Sequence, residues 1–449
     1  LTYKLKSAKI SVKAKGADIM KRSIEQQLCE WKASNNRKPL ILNGARQVGK
    51  TYILREFGER YYKNVVYINL ETNTSVASYF GDDISPERII RFLETYAGEA
   101  IIPEETLIIL DEIQSCERAL TSLKYFCEET PEYHIAAAGS LLGVAIHREK
   151  YSFPVGKVDT ITMHPFTFEE FLWAVSENSL CEEIKAHYET LEPMPEALHN
   201  KAIDLYRCYL ITGGMPAAVS EFATTNKLIN VSDIQNKILN DYLADMAKYA
   251  SNSESVKIRA CYNSIPAQLA KENKKFQYKV VQRGGSSTIF GESIEWLNFA
   301  GIVLKCQRIE QAFEPVSVYA DLSSFKLYMG DVGLLTMKSG MSQHTVLSGE
   351  PNLFMGAVCE NYVAQSLAAK GYALHYWTSE HTAELDFVIQ KGNEIIGIEV
   401  KKSQHTKSKS LFEFIKKYSP AYSIRLSEKN FGAADNNVRV VPLYAAFCI

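Results

Sequence analysis

Between residues 39 and 163, short apolar runs alternate with stretches whose apolar positions recur at helical spacing. The runs are Leu40–Leu42, Val65–Leu70, Leu107–Leu110, Tyr133–Ala138 and Val158–Met163, and the helical stretches are 50–61, 86–96 and 118–128. Buried strands separated by amphipathic helices point to a parallel sheet covered on both faces, a doubly wound α/β core. From His164 to about Tyr249 the strand pattern stops. Helices are expected at Phe168–Val175, Cys181–Glu189, Ala197–Leu210 and Ser232–Lys248, broken by Gly213-Gly214-Met215-Pro216. A helical lid on the sheet, 164–250, is the expected role of this part.

Residues 251–350 read as a winged-helix-like module with a connector. One helix runs to about Leu269, Gly284-Gly285 marks a turn, and a second helix, Ser287–Phe299, leads into a strand, 302–308. That second helix carries Glu292 and Glu295 but no Lys or Arg, so packing is favoured over a groove-reading role,. From 351 to 449 the order helix, strand, hairpin, helix suggests a separate α/β domain. The core is expected to begin at Met20. Residues 1–19 are basic and lack the apolar stretch of a secretory signal, and they are expected to be a disordered or non-native leader,.

Composition narrows the function classes. A chain of 449 residues is too long for one ordinary core, and 46% hydrophobic with 23% charged residues is the balance of a folded protein,. The formal net charge of -2 leaves nucleic-acid binding to local basic patches,. No apolar run approaches the length of a membrane-spanning helix. Nine cysteines stand singly without a CxxC pair, which is neither a zinc pattern nor a disulfide framework, and a reducing cytoplasm is the expected setting,.

The most specific motif is Gly44-Ala45-Arg46-Gln47-Val48-Gly49-Lys50-Thr51, which fits G-x-x-x-x-G-K-[ST] between a strand and a helix,. The glycines let backbone N–H groups curl around phosphate oxygens at a helix N-terminus. Lys50 is expected to reach the terminal phosphates of ATP and Thr51 to ligate Mg²⁺. In Leu107–Leu110 followed by Asp111-Glu112, a buried strand ends in two acids whose proximity calls for a cation,. Asp111 is expected to hold the Mg²⁺ and Glu112 to polarise the attacking water. Ser140, past the next strand, is a candidate γ-phosphate sensor. Asn69, on a neighbouring strand end, is a candidate partner and gate for Glu112.

These motifs, with Leu110-Asp111-Glu112-Ile113-Gln114, Gly139-Ser140, Pro165-Phe166-Thr167-Phe168-Glu169-Glu170-Phe171, Gly213-Gly214-Met215-Pro216 and Asp331-Val332-Gly333-Leu334, resemble one family. It is that of prokaryotic AAA-superfamily ATPases followed by a C-terminal domain of unknown function. The resemblance covers nearly all of the chain after Met20, implies ATP hydrolysis and admits a homo-oligomer. Where relatives usually have Gly-Arg before the fifth strand, this chain has Gly156-Lys157.

A second constellation lies in the last hundred residues. Two alternating strands flank Gly392-Asn393, a favoured hairpin turn, so that paired residue numbers sum to 785,. Asp386 then faces Glu399 with Cβ atoms about 4.5–5.5 Å apart, and Lys401 shares their face. Opposed carboxylates call for a divalent cation, with Glu360 on the preceding helix as a third ligand. Mg²⁺ suits such oxygen ligands, and Lys401 would activate water for phosphodiester attack. The set is similar to the PD-(D/E)xK core of restriction-endonuclease-like domains. The basic helix beyond it, with Lys407, Lys409, Lys416 and Lys417, is suited to a phosphate backbone,. Two functions follow. One is an ATPase acting on DNA through a Mg²⁺-dependent nuclease-like domain; the other is a nucleotide-controlled signalling switch whose C-terminal domain only binds nucleic acid or protein.

Overall fold

The structure, a computed structural model, describes residues 21–81, 83–140, 153–379, 383–401 and 408–449. The expected leader, with Met20 and Lys407, lies outside them. The described residues fall into two units. The smaller is Arg22–His164 with Ile294–Ile302, and the larger is Lys21, Pro165–Ser293 and Val303–Ile449.

In the smaller unit five strands form one parallel sheet: β1 (Leu40–Asn43), β2 (Asn64–Asn69), β3 (Thr106–Asp111), β4 (His134–Ala138) and β5 (Asp159–Thr162). Their order across the sheet is β2-β3-β4-β1-β5. Every residue of β3 and β4 is buried, as apolar runs covered on both faces require,. Ile68, Ile108, Leu110 and Ile135 pack with Leu93, Leu120, Leu123 and Phe126 of the helices Pro86–Ala97 and Glu117–Glu129. Because all strands run the same way, Asn43, Asn69, Asp111, Ala138 and Thr162 end at one edge. The insertion of β4 between β1 and β3 puts the end of β4 between the loop 44–51 and the acidic pair Asp111-Glu112.

The larger unit is built on eight strands: β6 (Val303–Ile309), β7 (Ala320–Met329), β8 (His375–Thr378), β9 (Glu384–Lys391), β10 (Glu394–Val400), β11 (Ser423–Ser427), β12 (Gly432–Ala434) and β13 (Val438–Pro442). Their order is β12-β13-β11-β10-β9-β8-β6-β7. The expected boundary at 350 is therefore not a break in the sheet. The β6–β7 hairpin, read from sequence as part of a separate module, joins the C-terminal strands through parallel pairing of Arg308 with Tyr376.

The helices expected to lie as a lid on the first sheet fall in one unit with this second sheet. One reason is a lock that explains two of the sequence motifs. Gly214 N–H donates to Asp331 Oδ2 at 2.6 Å, and Phe166 N–H donates to Gly214 O at 2.7 Å. A Cβ at residue 214 would lie 2.1 Å from Phe166 O, and one at residue 213 would lie 2.2 Å from Asp331 Oδ1. Asp331 also caps the helix Val332–Lys338 through Leu334 N–H at 2.9 Å. Around this lock Tyr206 and Tyr209 of the helix Glu196–Thr212 pack edge-on against Tyr362.

Candidate functional site

Where β1 ends, Gly44 takes φ 142°, Gln47 φ 67° and Gly49 φ 98°, and the helix Lys50–Tyr61 begins at once. These angles curl the loop through backbone conformations that suit glycine. A Cβ at residue 44 would sit 2.2 Å from Met163 O, so the loop rests directly on the strand beside it. Arg22 braces it from behind, donating to Val48 O at 3.1 Å and to His164 O at 2.6 Å. Lys50 is 7% exposed and donates to Gly44 O at 2.9 Å and Ala45 O at 2.8 Å. Burial lowers its pKa to about 8, although Glu112 and Asp111 favour the charged form,.

The two acids at the end of β3 have different surroundings. Asp111 Oδ2 accepts from Thr51 Oγ1 at 3.0 Å and from the Tyr67 hydroxyl at 2.8 Å. Glu112 adopts φ 52°, a left-handed conformation that a non-glycine residue holds at a cost,. Its Oε2 accepts from Ser140 Oγ at 3.0 Å and from the Gln114 side-chain amide. Asn69 pairs in register with Asp111, but its side-chain oxygen serves a local turn, accepting from Glu71 N–H at 3.0 Å and Thr72 N–H at 2.9 Å. The contact with Glu112 expected of Asn69 is made instead by Ser140 and Gln114. From β2 it is Tyr67 that reaches the acidic pair. Lys157, in place of the usual Arg, pairs with Glu128 at 2.9 Å.

This cradle fits Mg-ATP chemically. The hydroxyl of Thr51 and a carboxylate oxygen of Asp111 already meet, and both are ligands that Mg²⁺ accepts beside phosphate oxygens,. When bound there, Mg²⁺ would neutralise charge on the phosphates.

The second constellation is arranged differently from the expectation. The hairpin register is as expected between Glu394↔Lys391 and Ile398↔Phe387, and the ladder ends there, one step short of pairing Asp386 with Glu399. Leu385 and Val388 pack into one cluster with Leu411 and Phe414, so the alternation of faces breaks between them. Asp386 Oδ2 accepts from Val400 N–H at 2.8 Å, and the like charge that acts on it most is Glu360. Burial, then Glu360, raises its pKa to about 7, although it is only partly removed from solvent by surface area. Glu360 is held by Lys274 and by the Tyr328 hydroxyl at 3.1 Å, and Lys326 Nζ lies 3.9 Å away.

Lys326 is 0% exposed and also pairs with Glu384 at 2.6 Å. Burial would discharge it, but Glu360, Glu384 and Asp386 keep its pKa raised. Glu399 pairs with Lys401 at 3.1 Å and lies 4.0 Å from Arg425 Nε. Among the described residues, no three His, Cys, Asp or Glu side chains are grouped to hold a metal ion. Glu360 is paired with Lys274 and Glu399 with Lys401, so Glu360, Asp386 and Glu399 as described are not grouped as one set of metal ligands.

Residues 36–172, which contain the loop, the acidic pair and all five strands of the first sheet, match the family described as AAA domain. By this match, the segment 36–172 is an AAA domain. Beyond the AAA domain, residues 203–345 and 355–446 match two domains of unknown function, DUF8612 and DUF4143. Uncharacterized protein Rv2008c of Mycobacterium tuberculosis (strain ATCC 25618 / H37Rv) is 34% identical over 80 residues, 17% of this chain and 18% of that protein. Uncharacterized protein Mb2031c of Mycobacterium bovis matches to the same extent.

Among solved structures, the Walker-type ATPase PABY2304 of Pyrococcus abyssi aligns with a TM-score of 0.43 at 14% identity, over 73% of this chain and 99% of that one. The ORC1 protein of Aeropyrum pernix, solved in complex with DNA, aligns with a TM-score of 0.28 at 12% identity, over 71% and 90%. Likeness this distant assigns neither substrate nor partner. No helix among the described residues is long and apolar enough to cross a membrane.

Around the loop and the acidic pair, the residues that sequence reasoning missed are Arg22, Tyr67 and Gln114. Gln114 follows the acidic pair by two positions and Tyr67 precedes Asn69 by two on the same strand, so proximity in sequence was a usable signal for both. Arg22 acts across the fold and left no local signal.

Proposed function

We propose that the protein binds Mg-ATP on residues 44–51 with Asp111 and hydrolyses it with Glu112, and that its larger unit engages nucleic acid. The observation that carries the first part is the bond of 3.0 Å from Ser140 to a Glu112 carboxylate that Gln114 also holds. A carboxylate fixed at that strand edge can orient a water and take its proton. The loop N–H groups and Lys50 bind the terminal phosphates, and Thr51 and Asp111 hold the Mg²⁺. Ser140, bonded to Glu112, links the state of the γ-phosphate to the base. Glu112→Gln is expected to keep ATP binding and lose turnover, while Lys50→Ala loses binding. Measured by nucleotide binding and phosphate release, wild-type turnover in Glu112→Gln would remove Glu112 from the mechanism.

For the larger unit, the pairing of Glu360 with Lys274 and of Glu399 with Lys401 supports the nucleotide-controlled switch that binds without cutting. Lys274 and Lys401 already pair with Glu360 and Glu399, two of the three carboxylates that a metal-dependent cut would need free. The nuclease reading keeps one specific support: the helix Met355–Ala369, the strands β8, β9 and β10, the helix Lys409–Tyr418 and β11 follow one another in the order of a restriction-endonuclease-like core, with Lys401 beside Glu399. Incubation of plasmid DNA with Mg²⁺ or Mn²⁺, with and without ATP, separates the two. Nicking by wild type and not by Asp386→Ala would restore the nuclease.

A further inference from the structure

On the helix Lys409–Tyr418, Leu411 and Phe414 are buried under the sheet, while Lys409, Phe412 and Lys416 are exposed. At spacings of three and four these residues form one stripe, a lysine one turn to either side of a phenyl ring. Phe412 is 40% exposed, at a position where a helix that packs by its other face ordinarily carries a polar residue,. Its ring is not alone. The Arg425 guanidinium lies 6.0 Å from the ring centroid, on the strand next to β10. Arg425 pairs in register with Glu399, and Glu399 in turn holds Lys401. A row therefore runs from Lys401 through Glu399 and Arg425 to Phe412 and its flanking lysines. Arg425 Nε has no hydrogen-bond partner among the described residues and only the contact of 4.0 Å with Glu399.

Resting on the reading that the larger unit engages nucleic acid, we infer that Phe412 with Arg425 is a stacking platform for an unpaired base, so that the ligand is a single strand. A phenyl face offers a base its whole π surface and offers a duplex nothing, because paired bases present only their edges. The lysines supply the charge that a backbone on either side of the stacked base needs. Arg425 can add its planar guanidinium to the stack or a bidentate contact to a phosphate. A docking protein would find the apolar ring useful but Lys409, Lys416 and Arg425, set against the helix's single exposed acid, Glu413, a desolvation cost, which favours nucleic acid as the occupant,.

The test uses the full chain and three probes of equal length, labelled for anisotropy: an oligothymidylate, an abasic strand and a duplex. The oligothymidylate should bind more tightly than either of the others. Phe412→Ala should weaken the oligothymidylate about tenfold or more and leave the abasic strand unchanged, since only a base can stack. Phe412→Tyr, which keeps the ring, should bind as wild type. Lys409→Gln with Lys416→Gln should weaken all three probes alike and reduce the salt dependence. Duplex bound as tightly as the single strand, or oligothymidylate binding indifferent to Phe412→Ala, would overturn the platform while leaving DNA engagement intact. Binding of none of the three would overturn the nucleic-acid reading itself.

Discussion

The buried lysine of the loop makes ATP affinity depend on pH in a way that can be calculated. Burial lowers Lys50 from 10.5 to about 8 in the nucleotide-free protein. Phosphate binding requires the ammonium, and the negative charge of the phosphates would return its pKa to at least its ordinary value. The neutral amine therefore accumulates as pH rises through 8, and part of the binding free energy goes into protonating it. Between about pH 7.5 and about pH 9.5 the dissociation constant should rise about 20-fold, equivalent to about 1.8 kcal/mol. Titration calorimetry in buffers of different ionisation enthalpy should show close to one proton taken up per ATP at the higher pH. Lys50→Arg, if it binds, should show a flat profile, because a guanidinium stays charged throughout. An affinity constant to within about twofold across this range would refute the placement of Lys50 in a desolvated site facing the phosphates.

Two further outcomes follow from the larger unit. Asp386, raised to about 7, is a carboxylate whose ionisation weakens the fold: the penalty is absent below about pH 4, grows between there and pH 7, and is constant above,. Asp386→Asn should melt higher than wild type at pH 8, with the gap closing near pH 4; a lower melting temperature at pH 8 would show the charge to be stabilising. Gly214→Ala places a Cβ 2.1 Å from Phe166 O and should cost more than about 2 kcal/mol by denaturant titration, and an unchanged midpoint would mean that the lock yields,.

What could be read from sequence was what is encoded locally. All five strands of the first sheet and the helix Lys50–Tyr61 lie where apolar runs and the loop motif predict them. The hairpin about Gly392-Asn393 has the expected register because its turn chemistry is contained in a few residues,. The helix Pro216–Thr225 was missed, hidden behind a Gly-Gly-Met-Pro string that reads as a loop but whose proline is the first residue of the helix,. Lys326 could not be foreseen as a wholly buried cation, since its three carboxylate neighbours come from Glu360, Glu384 and Asp386, far along the chain. The same distance hid the pairing of β6 with β8. The expected pairing of Asp386 with Glu399 assumed strict alternation along the whole strand, whereas Leu385, expected in the core, packs on the side of Val388 rather than of Phe387.

That pairing has a consequence for how the polypeptide must be inherited and cut. The families of unknown function matching residues 203–345 and 355–446 meet in the middle of one sheet, not at a hinge. A gene fragment beginning near residue 351 would encode β8 with the side that faces β6 left open, a row of backbone donors and acceptors inviting another chain to add a strand,. The two segments are thus halves of a single hydrogen-bonded object. Natural truncation or recombination between them should be selected against, and a soluble piece of the larger unit should have to carry both.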